Sequence, residues 1–350
     1  MSDSIDKLIH TVIDGRDLSR DETAQVFDEL MAGRLSDRRI EQYLTALADK
    51  GETVEEIVGA ATVMRRHVTQ IDCDELNAID TCGTGGDGIS TFNVSTAAAI
   101  VAAGAGAKVA KHGNRSNSRR SGSAEVLQAL GVNVDASPES VARCIKEVGI
   151  GFLFAAKLHP AMRHVVPIRR KIGRPTIFNL LGPLTNPAFV TRQIVGVPRL
   201  ELTRKIADVL QQLGDVHAFV VHGHDGLCDF TITGPSHYVE LRMGRLEEKT
   251  VQPEEAGLEP GSIESLRIAS PAESAAVIRS ILRGEPGPCR DHTLLNVAFA
   301  LMVAGIAEDL PNGIRRAANS IDSGAAAETL KRLVALTEAG GIGPVGSGGK

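Results

Sequence analysis

A chain of 350 residues fits one large domain and a smaller one, and 43% apolar with 23% charged residues allows a sizeable core. Aromatics are only 3%, without a Trp, and the formal net charge is -5, which disfavours a stacking platform for single strands and a general binder of nucleic acid or membrane surfaces. The five cysteines (Cys73, Cys82, Cys144, Cys228 and Cys289) are odd in number and widely spread, without a CxxC pair or metal-ligand spacing, so neither disulfide framework nor zinc site is expected. The N-terminus has no secretory apolar stretch and no run approaches the ~18 residues of a bilayer span. A reduced, cytoplasmic enzyme is expected.

Residues 1–72 read as helices only. Ile5, Leu8, Ile9, Val12 and Ile13 recur at helical spacing. Ser19 with Glu22 and Thr53 with Glu56 are capping-box pairs, and Ser36 opens a further segment carrying Ile40, Leu44 and Leu47. Four short helices can bury one shared stripe, which suits a packing and dimerisation unit. From about residue 77 the rhythm becomes strand, glycine turn, helix, so 73–338 is predicted as an α/β domain with a mostly parallel sheet flanked by helices. Strands are predicted at AIDTC, AKVAKHG, VNV, GFLFA, QIVGV and HAFVVHG, and a hairpin of DFTIT with HYVEL around Gly234-Pro235. Part of 160–190 is expected to pack on the helical domain. Three helical patterns fill 272–338, and the glycine-rich tail 339–350 is expected to be disordered.

Gly83-Thr84-Gly85-Gly86-Asp87-Gly88 matches G-x-G-x-x-G after a predicted strand, but the acidic residue a dinucleotide site needs about 20 residues on is missing and the next strand ends in Lys111-His112. A glycine turn whose N–H groups meet phosphate still fits. Asp87 inside such a turn would repel phosphate unless it binds sugar hydroxyls or lies near a bridging cation. Thr91, Asn93, Val94, Ser95 and Thr96 lead into an Ala-rich helix. They are first of all an N-cap cluster, in a geometry that also faces an anion and offers a hydroxyl to Mg²⁺. Lys111 to Ser116 ends a strand, and the polar, cationic stretch from Asn117 to Ser123 follows. Together the three segments suggest a polyphosphate substrate bound with Mg²⁺.

DTCGTGGDG, TFNVSTAAA, KVAKHGNRSNSRRSGSAEVLQALGV, FLFAAKLHPAMRHVVPIRRKIG and TIFNLLGPLTNPA, in this order, resemble the anthranilate phosphoribosyltransferases, within the nucleoside phosphorylase-like phosphoribosyltransferases, to about residue 335. The resemblance implies a small helical domain joined to a larger α/β domain, usually as a homodimer through the helical part. It implies transfer of the phosphoribosyl group of 5-phosphoribosyl 1-diphosphate to the amine of anthranilate, with Mg²⁺, in tryptophan biosynthesis, and no nucleic-acid or membrane partner. It places Gly83, Gly86, Asp87, Thr91 and Asn93 to Thr96 around the donor, with Ser95 near Mg²⁺. Lys111, His112, Gly113, Asn114, Arg115, Ser116, Asn117, Ser118, Arg119 and Ser123 would form the cationic loop over it. Asn114, Gly83 and Arg169 match positions that hold anthranilate, His112 and His159 positions that line its path, and Lys111, Asn114 and Arg169 are the expected catalytic groups. The chemistry implied is electrostatic: the C1–diphosphate bond loosens and a neutral amine attacks from the opposite face.

Two departures stand out. Family members carry an Asp-Glu pair after Gly-Leu as metal ligands, whereas here the stretch reads Gly226-Leu227-Cys228-Asp229. A thiol is a poor Mg²⁺ ligand, which leaves Asp229 as the expected one, with Asp225 as a further candidate to compensate. Ala156 stands where a Pro is common. The alternatives are a non-catalytic or altered-substrate paralogue, supported by Cys228-Asp229 alone, and a pyrimidine nucleoside phosphorylase, which shares the architecture.

Overall fold

Local chemistry sets the first four helices, α1 (Ser2–Ile13), α2 (Arg20–Met31), α3 (Asp37–Lys50) and α4 (Val54–Arg66). Both capping boxes form: Ser19 N donates to Glu22 Oε2 at 2.9 Å and Thr53 N to Glu56 Oε2 at 2.9 Å. Each such cap is worth about 1 kcal/mol. Glu56 is fully buried and also accepts from Leu18 N (3.0 Å) and Lys50 Nζ (2.7 Å), so it ties α4 to the end of α3 and to the residue before the N-cap of α2. Ser36 takes the N-cap position of α3 without a side-chain cap bond.

The computed structural model describes residues 2–73, 76–116 and 119–339. Asn117, Ser118 and the tail from 340 onward therefore lie outside the described residues, and Ala339 is the last residue of a helix. After the first four helices the order is α5 (Val94–Gly104), β1 (Val109–Gly113), α6 (Ser123–Ala129), α7 (Pro138–Arg143, continued by a π turn Cys144–Val148), β2 (Ile150–Phe154) and α8 (Ala155–Leu158). A 3-10 turn (Pro160–His164), α9 (Val166–Ile172), α10 (Phe178–Leu181), β3 (Arg192–Gly196), α11 (Glu201–Gln212), β4 (His217–Gly223), β5 (Ser236–Arg242) and β6 (Arg245–Val251) follow. The chain then runs through α12 (Pro271–Leu282), α13 (Pro288–Val303), α14 (Leu310–Asp322) and α15 (Ala325–Ala339), four helices where three were expected.

β1 pairs parallel with β2, and β3 parallel with β4, which continues antiparallel into β5 and β6. The predicted strand at AIDTC contributes only two residues, yet these join the two sheets. Ile79 N donates to Lys108 O (2.8 Å) and Ala110 N to Ile79 O (2.9 Å), while Asp80 N donates to Arg192 O (3.1 Å) and Ile194 N to Asp80 O (2.9 Å). VNV (132–134) is not a strand, and DFTIT is irregular. The hairpin is instead β5–β6, closed at Met243-Gly244 with φ of 48° and 77°, as a type I′ turn requires. Phe230, Thr231 and Ile232 are all fully buried, which an alternating hairpin strand would not be.

Side chains alternate across β3 and β4. Ile194, Phe219 and Val221 face a core shared with α5 and α13. Val195 and Val220 face the other core, which contains Val26, Phe27, Leu44 and Leu47 of the N-terminal helices and Val165, Ile168, Ile177 and Phe178. The segment from 160 to 184 thus packs on the helical unit, and Lys171–Glu41 (2.6 Å) and Arg174–Asp49 (2.6 Å) ion pairs cross the same boundary. Exposed pairs of this kind add little energy, so apolar packing positions the segment. Among the described residues no disulfide joins the cysteines, and no helix is long and apolar enough to cross a membrane.

Candidate active site

The Ile79–Asp80 row, β1, β3 and β4 run parallel, so the chain leaves all of them along one sheet edge, where α/β folds place ligands. Three loops meet there by close backbone approach. A Cβ on Gly83 would lie 2.9 Å from Gly196 O, and a Cβ on Gly196 only 1.6 Å from Cys228 O. Only glycine allows the 81–88 loop, the end of β3 and the 224–231 loop to stack this closely. Thr84 N donates to Gly196 O at 2.8 Å and completes the stack. Gly86 sits at φ 90°, and its neighbour Gly85 has no heavy atom within 4 Å of where a Cβ would be, so this side of the loop is open to a ligand.

Lys111, near the end of β1, is 1% exposed and has hydroxyl neighbours at long distances: Nζ to Thr81 Oγ1 is 3.3 Å and to Ser95 Oγ 3.4 Å. Burial pushes its ammonium pKa down, against the opposing pull of the nearby Asp80 and Asp229 carboxylates. Asp80 is itself buried, which raises its carboxyl to about 6 in spite of Lys111 and a bond from Asn186. Asp80 accepts from His112 N (3.2 Å) and Asn186 Nδ2 (2.8 Å), and the same amide donates to Ala110 O (2.8 Å). Neither Asp80 nor Asn186 was singled out from the sequence, although both lie inside the DTCGTGGDG and TIFNLLGPLTNPA motifs.

The residues before α5 behave differently from one another. Asn93 occupies the N-cap position but makes no side-chain cap bond. Its Oδ1 accepts from Ser121 Oγ (2.7 Å) and Ser274 Oγ (2.8 Å), and its Nδ2 donates to Ser121 O (3.2 Å), so it braces the cationic loop against α12. Thr91 and Thr96 are buried, their hydroxyls without a hydrogen bond among the described residues, and Val94 is buried. Ser95 O accepts from Thr81 Oγ1 at 3.0 Å.

Asp87 does not bear an uncompensated charge toward the loop opening. Its side chain is fully buried, and Oδ1 accepts from Ile89 N (3.1 Å) and Arg119 Nε (2.7 Å). Oδ2 accepts from Cys228 N (3.3 Å) and pairs with Arg119 Nη2. Beyond β1, Asn114 and Arg115 are exposed; Asn114 Oδ1 accepts from Arg115 N (2.8 Å), and the Arg115 guanidinium lies 5.7 Å from the Phe154 ring centre. Ser123 Oγ donates to Asn114 O (3.2 Å) and lies close to Gly113, leaving no room for a Cβ there. Glu125, also not singled out, accepts from Ser116 N (3.4 Å) and Gly122 N (3.1 Å) and so ties both ends of the loop.

On the other side, His112 Nδ1 lies 2.9 Å from Gly182 O and must donate to it, which leaves Nε2 to accept from His159 Nε2–H at 3.1 Å. Burial, helped by the neighbouring ring, pushes His112 down to about 3, and burial pushes His159 down to about 4. Both rings are neutral at pH 7. Arg169 on α9 is half-buried, its guanidinium 5.4 Å from the Phe178 ring centre and 3.4 Å from Asn179 Oδ1, and burial lowers its pKa. The 176–182 segment, which packs on the N-terminal helices, therefore connects Arg169 with the histidine pair.

Asp80, Cys82 and His112 offer ligand atoms within 4.8 Å of one another, a cluster that sequence spacing did not show. It is a poor cation cradle: both His112 nitrogens are engaged, and burial lifts the Cys82 thiol to about 12. Hard oxygens lie instead at Ser95 and at the half-buried Asp229. Burial raises Asp229 to about 6 against the charges of Arg119 and Lys111. The Cys228 thiol is pushed up to about 12, chiefly by burial. Asp225 braces the loop itself, accepting from Thr231 Oγ1 (2.7 Å), Thr233 Oγ1 (2.6 Å) and Leu227 N (3.0 Å).

Residues 75–327 match the α/β domain of a glycosyl transferase family, and residues 6–68 match the helical bundle domain of the same family. An anthranilate phosphoribosyltransferase of Anaeromyxobacter sp. (strain K) is 51% identical over 95% of this chain and 98% of its own length. That of Chloroflexus aggregans is 49% identical over the same shares. The chain belongs to the anthranilate phosphoribosyltransferase family. Solved structures agree in fold. Anthranilate phosphoribosyltransferase from Thermus thermophilus superposes with a TM-score of 0.90 at 41% identity, over 95% of this chain and 99% of that one. The Saccharomyces cerevisiae anthranilate phosphoribosyltransferase, solved in complex with PRPP and Mg, gives a TM-score of 0.88 at 27% identity, over 97% and 99% of the two chains. These relatives give no support to a phosphorylase or a non-catalytic paralogue.

Proposed function

We propose that the chain transfers the phosphoribosyl group of 5-phosphoribosyl 1-diphosphate to the amine of anthranilate, giving N-(5-phosphoribosyl)anthranilate and pyrophosphate, in tryptophan biosynthesis. The observation that carries this reading is the buried Lys111 ammonium, held among hydroxyls at the sheet edge where an open glycine loop ends. A buried cation without a tight anionic partner is suited to a charge that arrives with the ligand and grows in the transition state. Lys111 and the glycine amides of the 83–88 loop receive the diphosphate. Arg169, pre-stacked on Phe178, pairs with the anthranilate carboxylate. The neutral His112–His159 pair shapes the acceptor path without adding charge. The amine of anthranilate is neutral near pH 7, so positioning it opposite the leaving group is the main requirement. A homodimer in the cytoplasm, with 1–72 as the dimerising unit and 73–338 as the catalytic one, completes the reading.

Mg²⁺ accompanies the donor in this reading. Ser95 and Asp229 supply the hard oxygens such an ion prefers, and Asp229 has no hydrogen bond among the described residues that would compete. When bound, the ion neutralises charge on the diphosphate. Anthranilate fluorescence should fall when donor and Mg²⁺ are added together and not when either is omitted; phosphorolysis of uridine or thymidine without anthranilate turnover would sink the proposal.

The altered metal pair should be visible in the same assay. The natural protein is expected to be active, with a rate that climbs over a broad, high range of Mg²⁺. Cys228→Asp combined with Asp229→Glu should lower the Mg²⁺ needed for half-maximal rate by about tenfold, since an oxygen ligand and reach are restored. The two changes share one site and should be non-additive. An identical Mg²⁺ curve for the double variant would show that residues 228 and 229 do not govern metal use.

A further inference from the structure

Arg119 differs from the other cations of its loop. Arg115 and Arg120 are exposed, whereas the Arg119 side chain is 18% exposed and points inward to Asp87. Its place is fixed by the segment around it: Arg119 N donates to Ser116 Oγ (2.8 Å), Arg120 N to Ser90 Oγ (3.3 Å), and Ser121 is bonded to Asn93. The guanidinium covers both oxygens of Asp87, and its positive charge also acts on Asp229 and Cys228. Asp87 is thus bonded at once to a cation supplied by the chain itself and to the backbone of Cys228, the neighbour of Asp229. This is also the stretch in which the expected metal pair is altered, at Cys228-Asp229.

We infer that Arg119 is a resident counter-ion of the donor site, holding between Asp87 and Asp229 a position that a divalent ion would otherwise take. Without Arg119 the buried Asp87 carboxylate, which is bonded to the backbone of Cys228 next to Asp229, would stand without its counter-charge and attract Mg²⁺ or Mn²⁺ directly. With it, the chain holds no strong divalent site of its own here, and the metal enters with the diphosphate. The charge that would make Asp87 repel phosphate is cancelled by the same contact. The inference rests on the reading of this edge as the donor site, but it concerns binding of metal alone, so it is tested without substrate.

The test uses Mn²⁺ as the probe and the full chain, with free Mn²⁺ followed by electron paramagnetic resonance and the melting temperature measured with and without the ion. The natural protein is expected to bind Mn²⁺ weakly. Arg119→Gln should bind it at least about tenfold more tightly, because one positive charge has left a partly buried acidic pair. Mn²⁺ should then raise the melting temperature of this variant and not that of the natural protein. Arg119→Lys, which keeps the charge, should behave like the natural protein, and adding Asp87→Asn to Arg119→Gln should abolish the gain. Equal Mn²⁺ affinity in Arg119→Gln and the natural chain would overturn the inference, as would a gain that survives Asp87→Asn. A variant that fails to fold and is not rescued by Mn²⁺ would overturn it too, since a divalent ion could then not replace the guanidinium. If the natural protein shows this Mn²⁺ pattern but no anthranilate turnover, the transferase proposal fails and the assignment of Arg119 stands.

Discussion

Lys111→Ala is expected to lower kcat by about 100- to 1,000-fold and to raise the donor KM, the size of effect seen when a preorganised partner of a developing negative charge is removed. The ammonium is almost fully buried and its closest partners are the hydroxyls of Thr81 and Ser95 at 3.3 and 3.4 Å. Its attraction to a leaving diphosphate is therefore little screened by water. The substitution also strips the buried Asp80 of a nearby compensating charge, which should cost stability. Two causes of inactivity must be separated. Lys111→Met with Asp80→Asn removes both charges and should recover most of the melting temperature while kcat stays low. Recovery of kcat together with stability would mean that Lys111 serves the fold and not the diphosphate.

Arg169→Ala should raise the anthranilate KM by roughly 10- to 150-fold, from the loss of a charge-assisted hydrogen-bonded pair. The donor KM should change much less. The guanidinium is already oriented by the Phe178 ring at 5.4 Å and Asn179 at 3.4 Å, so little rotamer freedom is lost when a carboxylate docks. Arg169→Lys keeps the charge but not the planar donor pair or the stacking, and should fall between the natural protein and the alanine variant. Steady-state kinetics with each substrate varied in turn gives the answer. An anthranilate KM that does not move in Arg169→Ala would remove this residue from the acceptor site.

What could be read in the sequence was what neighbours decide. Ser19 with Glu22 and Thr53 with Glu56 cap their helices through residues three positions apart. The apolar runs of β2, β3 and β4 likewise carry their own signal. Phe230 to Ile232 has the same local signal and is not a strand, because those side chains fill a core between β4 and α13 instead of alternating across a ladder. The candidate site was legible as glycine, hydroxyl and cation motifs, but the groups that hold it in place were not. Asn186 reaches Asp80 from 106 positions away, and Asn93 reaches Ser274 across 181. Arg119 read as one more loop cation, and only the fold reveals that it faces Asp87 and not solvent. The 80–82–112 cluster was invisible for the same reason, since no local spacing announces it.

The two-residue row Ile79–Asp80 makes the sheet a pair of plates joined at a seam. One plate, β1–β2, carries Lys111 and the histidine pair; the other, β3–β6, carries Gly196 and leads into the Cys228 loop. The backbone stitching at the seam consists of the bonds of Ile79 and Asp80 to residues 108, 110, 192 and 194. A ligand bound at this edge touches groups from both plates at once. Diphosphate held by Lys111 on one side and by the glycine loop stacked on Gly196 on the other would act as a clasp across the joint, so that the stiffness of the central sheet becomes a property of the loaded enzyme more than of the bare chain.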